Sequence, residues 1–165
     1  MIGSANGIPC VGCGAMVPDI NAPTHPYIGA SPGCWKFYGD VLGREYGELR
    51  NPPWHRLTVD AYAAQHPGSE SRRSIQSVAV HLIALHLVLD QQLDPLYVTR
   101  RMSATVAGAE KYHWLEPPDF DGTLSIVDVA AAAEPDRHEQ AVRQWATGVW
   151  QAWRGHHATV ASWAT

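Results

Sequence analysis

The strongest chemical signal in the sequence is a pair of cysteines separated by two residues, in the segment Cys10-Val-Gly-Cys13-Gly. Thiolates at this spacing can face one ion, and the glycines let backbone amides turn toward the sulfurs, as in structural zinc knuckles. One knuckle supplies half of a tetrahedral shell, and the suitable residues nearby are His25 and Cys34. The pattern predicts a Zn²⁺ site at Cys10, Cys13, His25 and Cys34 whose closed shell is structural and does no chemistry.

Two alternatives to this zinc site remain open on the sequence alone. The thiols of Cys10 and Cys13 form a redox pair, or they are inert. Redox pairs usually follow a buried strand at the start of a helix, and no such strand is predicted before Cys10. His25 has its own alternative, a histidine in a surface loop.

The candidate catalytic residues are Asp60, His66 and His81, which lie on two predicted helices. Asp60 interrupts a stretch of small apolar residues, and His81 continues a polar stripe with Ser74 and Ser77 on an otherwise apolar helix. A neutral imidazole with a pKa of about 6.5 suits proton transfer. We therefore expect an acid–base pocket between the two helices, with His81 buried and within reach of at least one of Asp60, His66 and Tyr62.

Each of these residues also has a structural interpretation. Asp60 is one turn after Arg56 and can pair with it, His66 can cap the end of its helix, and His81 can be a core residue satisfied by local hydrogen bonds. A further variant places a second, catalytic metal at His66, His81 and either His156 or His157.

The elements that must position these residues change character near Cys34. The first 34 residues contain six glycines, five prolines and a single charged residue, Asp19, and show neither a helical nor a strand period. From Cys34 onward apolar residues recur at helical spacing, and the third predicted helix, ending near Leu89, is apolar nearly all round. We predict an all-α fold in one domain, residues 1–165, with an irregular N-terminal zinc-knuckle lobe (1–34) and a helical bundle (35–165) whose central element is this third helix.

Composition limits the class of function. The chain has 165 residues, a net charge of -4, 45% hydrophobic and 17% charged residues. These values exclude a disordered chain and, with no basic cluster, predict no nucleic-acid partner and no membrane surface. No signal segment is evident at the N-terminus, so we expect a cytoplasmic protein, and a homo-oligomer is compatible with the sequence.

Two functional interpretations follow from these residues. In the first, zinc braces the lobe and the bundle is an enzyme that acts on a small-molecule substrate through Asp60, His66 and His81. In the second, the protein is a non-catalytic adaptor that binds a partner through a tryptophan-rich C-terminal helix, with Trp150 and Trp153 exposed. The sequence favours the enzyme, because an adaptor has no need of polar residues inside its central helix.

Several motifs together resemble a known group of proteins. They are Cys10-Val-Gly-Cys13-Gly, Ser31-Pro-Gly-Cys34-Trp, the run from His55 to His66-Pro-Gly, and Gln76-Ser-Val-Ala-Val-His81-Leu-Ile. The combination resembles a bacterial family of unknown function, small CxxCG proteins mostly from actinobacteria and their relatives. The resemblance covers nearly the whole chain and implies one structural unit, but it supplies no mechanism.

Overall fold

The fold is described by a computed structural model that covers residues 6–103 and 109–165. Within these ranges the chain is mostly helical, as the sequence predicts, and a small antiparallel sheet precedes the helices. The first five residues of the predicted lobe lie outside the described residues.

The N-terminal lobe is more regular than predicted. Strands β1 (Gly7–Pro9) and β2 (Met16–Pro18) pair antiparallel, with Ile8 opposite Val17. Each strand has three residues, which is too short for the alternation by which strands are recognised in a sequence. The connecting turn is closed by hydrogen bonds from the Cys10 amide to the Ala15 carbonyl, 2.8 Å, and from the Gly14 amide to the Cys10 carbonyl, 2.9 Å. The sheet thus holds the cysteine turn in a fixed shape.

Three long helices follow the lobe. Helix α1 (Pro32–Tyr46) ends before Gly47, and α2 (His55–Gln65) follows the Asn51-Pro52-Pro53 break. Helix α3 (Arg72–Leu85) begins at Ser71, whose side chain accepts a hydrogen bond from the Ser74 amide, and continues as one π-helical turn over His86–Asp90. The remaining helices are α4 (Pro95–Ser103), α5 (Ile126–Ala131), α6 (Pro135–Ala152) and α7 (His157–Trp163), with 3₁₀ turns at Ala109–Lys111 and Arg154–His156.

Helix α2 is the most completely buried of the long helices, whereas half of the residues of α3, the predicted centre of the bundle, are buried. Nine of the eleven residues of α2 are buried, because it packs against α3 on one side and α6 on the other. Its small residues, Ala61 and Ala64 among them, let both neighbours approach closely. Two buried tryptophans of the α6 region bond to its last turns: the Trp145 indole donates to the Gln65 side chain and the Trp153 indole to the Ala64 carbonyl.

To cross a bilayer, helices need about 20 mostly apolar residues. None of those in residues 6–103 and 109–165 is both long enough and apolar enough to do so.

Candidate metal centre and acid–base cavity

The two knuckle cysteines lie at the turn between β1 and β2, where backbone amides surround the Cys10 sulfur. The Gly12 amide is 3.5 Å and the Ser31 amide 3.4 Å from Cys10 Sγ, and both donate to it. Cys34 approaches the same point from the first turn of α1. The sheet and α1 therefore bring the three sulfurs together, as the spacing of the cysteines predicts.

The fourth member of this group is His66, at the C-terminal end of α2. The ligand atoms of Cys10, Cys13, Cys34 and His66 all lie within 4.8 Å of one another. Cys13 Sγ is 4.0 Å from Cys34 Sγ, and Cys34 Sγ is 3.4 Å from His66 Nε2. This group, which we call the Cys3His centre, could hold a metal ion.

The prediction of His25 as fourth ligand is therefore corrected to His66. His25 does not belong to the Cys3His centre: its Nδ1 accepts a hydrogen bond from the Tyr27 amide, and its ring packs against Tyr27 and Trp35. The prediction assumed that all ligands come from the N-terminal lobe. The lobe instead docks on α2, so that a bundle residue lies nearer the sulfurs.

Backbone contacts hold His66 in its position. Its Nδ1 donates to the Tyr62 carbonyl one turn earlier, 2.7 Å, which directs Nε2 toward the sulfurs. Its own carbonyl accepts from the Gly29 amide, 3.0 Å, and this bond joins the lobe to α2. The ring is fully buried. Gly12 passes so close to it that a Cβ atom there would lie 2.5 Å from His66 Cδ2. The knuckle and the histidine thus fit together only with glycine at that position.

Charge is concentrated in the Cys3His centre. Hydrogen bonds from Cys13 and Cys34 hold the pKa of the Cys10 thiol far below its usual range, and hydrogen bonding to Cys10 and Cys13 raises that of Cys34. Burial lowers the pKa of His66, but hydrogen bonds to Cys10 and Cys13 outweigh it and raise the pKa to about 9. The buried thiolate charge is thus compensated by an adjacent positive group, which a metal cation can replace.

Asp60 and His81 meet across the α2–α3 interface. His81 Nδ1 is 2.8 Å from Asp60 Oδ1, and Arg56 binds the same carboxylate through Nε at 2.8 Å and Nη2 at 3.1 Å. Asp60 is fully buried, whereas His81 is half-buried rather than buried as predicted. Asp60 therefore pairs with Arg56 and contacts His81 at the same time. His66 is not part of this arrangement.

A cavity of about 340 Å³ opens beside this pair, between α2, α3, α4 and the end of α1. We call it the acid–base cavity. His81 also borders a smaller cavity of about 160 Å³, which Tyr62 and Ser77 line as well. Lining residues of the acid–base cavity include Tyr46, His55, Arg56, Asp60, His81 and Leu96.

A buried carboxylate that sequence reasoning missed lies next to this cavity. Glu45 is fully buried and accepts hydrogen bonds from His55 Nδ1 at 2.6 Å, Thr58 Oγ1 at 2.7 Å and His138 Nε2 at 2.7 Å. Burial raises the pKa of Glu45, but the bonds from His138, His55 and Thr58 outweigh it and hold the pKa below its usual range. Arg44 Nη1 lies 3.1 Å from His138 Nδ1 and completes the network. Glu45 is thus an ionised, fully bonded core residue.

The second metal site considered from the sequence is not assembled. His156 Nε2 donates to the Glu116 carbonyl, and His157 Nε2 donates to the Trp150 carbonyl while its ring stacks on Trp150. In the part of the chain that the structure describes, the Cys3His centre is the one group of three or more metal-ligating residues.

Comparison with known proteins identifies the family. One family model matches residues 8–154, which is most of the chain. The chain belongs to the DUF5946 family. This is a family of unknown function, in agreement with the resemblance seen in the sequence, and the DUF5946 match includes the Cys3His centre and both residues of the Asp60–His81 pair. Neither the curated proteins nor the solved structures contain a significant match to this DUF5946 chain.

Proposed function

We propose that this DUF5946 protein uses the Cys3His centre to bind one structural Zn²⁺ ion. The observation that carries the proposal is the spacing of the ligand atoms. Two sulfurs at about 2.3 Å from a tetrahedral ion lie about 3.8 Å apart, and a sulfur and an imidazole nitrogen about 3.6 Å. The corresponding distances are 4.0 Å between Cys13 and Cys34 and 3.4 Å between Cys34 and His66. Thiolate and imidazole donors are those that zinc prefers.

A structural role follows from the number and origin of the ligands. Four protein ligands fill a tetrahedral shell and leave no position for a substrate. Cys10 and Cys13 come from the lobe, Cys34 from α1 and His66 from α2, so an ion at this point joins three parts of the chain. Reduced thiols suit a reducing compartment, and we place the protein in the cytoplasm on that ground.

The test is metal analysis of the purified protein and of two histidine variants. We expect one zinc per chain in the wild type and in His25→Ala, which is the matched control. His66→Ala removes one of four ligands and should lose most of the bound zinc. Retention of zinc in His66→Ala together with its loss in His25→Ala would restore the ligand set expected from the sequence and refute the present one.

A second function, acid–base catalysis, is supported by the Asp60–His81 pair beside its cavity. Arg56 donates two hydrogen bonds to the Asp60 carboxylate, and the same carboxylate accepts the Nδ1 proton of His81. The lone pair is then on Nε2, where His81 can take a proton from a small-molecule substrate as a general base. The adaptor alternative lacks its expected surface, because Trp150 and Trp153 are buried.

This second function is tested with a library of small organic molecules assayed for turnover. We expect activity that His81→Gln and Asp60→Asn abolish while zinc content and helicity stay unchanged. The matched control is His113→Gln, since His113 is exposed and lies outside the acid–base cavity. Turnover that survives His81→Gln would refute the assignment of the base.

A further inference from the structure

A second histidine of the acid–base cavity is held by a carboxylate in the same manner as His81. His55, the first residue of α2, contacts buried Glu45 through Nδ1 at 2.6 Å, and its side chain is 11% exposed. Its Nε2 is buried and has no hydrogen-bond partner among the described residues. An unpaired buried polar atom is energetically unfavourable, so this nitrogen is a strong site for an incoming ligand group.

The protonation pattern of both imidazoles follows from their carboxylates. Glu45 also accepts from Thr58 and His138, and as an acceptor it favours the proton on Nδ1 of His55. Asp60 acts in the same way on His81. Each neutral imidazole then has its lone pair on Nε2. His55 and His81 both line the acid–base cavity, and in this tautomer the Nε2 atom of each can accept a hydrogen bond.

The remaining lining of the cavity limits the charge and shape of a ligand. The Asp60 carboxylate balances the charge of Arg56, and the Arg56 side chain also donates to the Thr99 hydroxyl at 2.8 Å. The rim carries two apolar side chains that are largely exposed, Tyr46 at 59% and Leu96 at 49%, and the Tyr46 ring lies 4.5 Å from that of His55. The lining thus offers acceptors inside and an apolar surface at the mouth.

We propose that the acid–base cavity binds a small uncharged molecule that has an apolar ring and two hydroxyl or amine donors. The donors bond to Nε2 of His55 and Nε2 of His81, and the ring packs on Tyr46 and Leu96. The proposal shares His81 with the acid–base function and to that extent rests on it. Binding requires no turnover, so the two can be tested separately.

The experiment compares resorcinol, which has two donors on a ring, with 1,3-dimethoxybenzene, which has the same ring and no donor. Binding to the zinc-loaded full chain is followed by NMR of the histidine side-chain nitrogens. We expect resorcinol to bind at least about tenfold more tightly than the ether, equivalent to about 1.4 kcal/mol, and to shift Nε2 of His55 and His81. Exposed His113 serves as the reference and should not shift.

Variants separate a specific site from a general effect. His55→Asn can keep a donor toward Glu45 at the Nδ1 position, but its shorter amide leaves no acceptor at the Nε2 position, and it should abolish the preference for resorcinol. Leu96→Glu should weaken both probes, because it places a charge at the apolar rim. Zinc content and circular dichroism confirm that the variants are folded.

Three results overturn the proposal: equal affinity for the two probes, an unchanged preference in folded His55→Asn, or shifts at His113 as large as those at His55. Turnover that depends on His81 in a protein that does not bind resorcinol would leave the acid–base function standing and remove this inference. Resorcinol binding without any turnover would do the opposite.

Discussion

Replacing Gly12 by alanine tests whether the knuckle and His66 form one packed unit. A Cβ atom at this position would lie 2.3 Å from the Gly29 carbonyl oxygen and 2.5 Å from His66 Cδ2. Both distances are well below van der Waals contact, and neither neighbour is the free end of a flexible side chain. The alanine therefore forces the knuckle away from α2 or displaces the histidine from the sulfurs.

The magnitude follows from how firmly these neighbours are held. The Gly29 amide donates to the His66 carbonyl at 3.0 Å, and His66 Nδ1 donates to the Tyr62 carbonyl at 2.7 Å. Overpacking a rigid site costs about 1–3 kcal/mol, and two simultaneous overlaps place Gly12→Ala at the upper end. If the metal-bound state is destabilised by about 3 kcal/mol, the affinity for zinc becomes about a hundredfold weaker.

The assay is competition for zinc with a chromophoric chelator at neutral pH, together with thermal unfolding. Gly43→Ala is the matched control, because a Cβ atom there meets nothing within 4 Å and the residue lies inside α1. It should bind zinc like the wild type and gain about 0.5–1 kcal/mol of stability, since alanine is the better helix former. Wild-type zinc affinity and an unchanged melting temperature in Gly12→Ala would refute the packing argument.

Further perturbations have defined outcomes. Glu45→Gln breaks a buried ionic network and should lower the free energy of unfolding in urea by about 3–5 kcal/mol; a loss below about 1 kcal/mol contradicts the network. Since the folded pKa of Glu45 is lowered, its contribution is complete above about pH 4.3 and is lost as the pH falls through that folded pKa, so wild type and Glu45→Gln should converge in acid. Gln65→Leu leaves the Trp145 indole without its partner and should cost about 1–3 kcal/mol without changing zinc content; wild-type stability would dismiss that bond. Removal of zinc by a strong chelator should speed amide exchange in β1 and β2 more than in α6, and equal exchange in the two regions would speak against a structural ion.

The helices and the cysteines of the Cys3His centre were accessible from sequence because their signals are local. Turn residues, caps and apolar spacing mark the ends of α1 and α4, and the two-residue spacing of Cys10 and Cys13 is itself the metal signature. The two short strands left no such pattern. Local rules therefore recovered the elements of the fold but not the sheet that shapes the knuckle.

The fourth member of the Cys3His centre was misassigned because such a group is defined in space, not along the chain. His25 and His66 are both histidines beside a proline, and nothing in their neighbours along the chain reveals which one the folded lobe meets. Choosing between them requires the docking of the lobe on α2, which rests on contacts such as the bond from Gly29 to His66.

The Glu45 network was missed for a related reason. A glutamate inside a helix with exposed neighbours has no hydropathic signal of burial, and its partner His138 is 93 residues away. Only tertiary packing of α6 against the end of α1 places the two side chains together. The hydrogen-bond partners of a buried polar residue can be far away in the sequence, so local sequence patterns do not predict them.

The location of His66 at the end of α2 means that the N-terminal lobe is not a portable module. An excised segment carrying β1, β2 and the start of α1 would retain Cys10, Cys13 and Cys34 but not the last donor. A Zn²⁺ ion bound as proposed would have its coordination completed only after α2 has formed and the lobe has docked on it. Release of such an ion would then accompany separation of the lobe from the bundle, and the rate at which a chelator captures the metal would report how often the assembled protein opens.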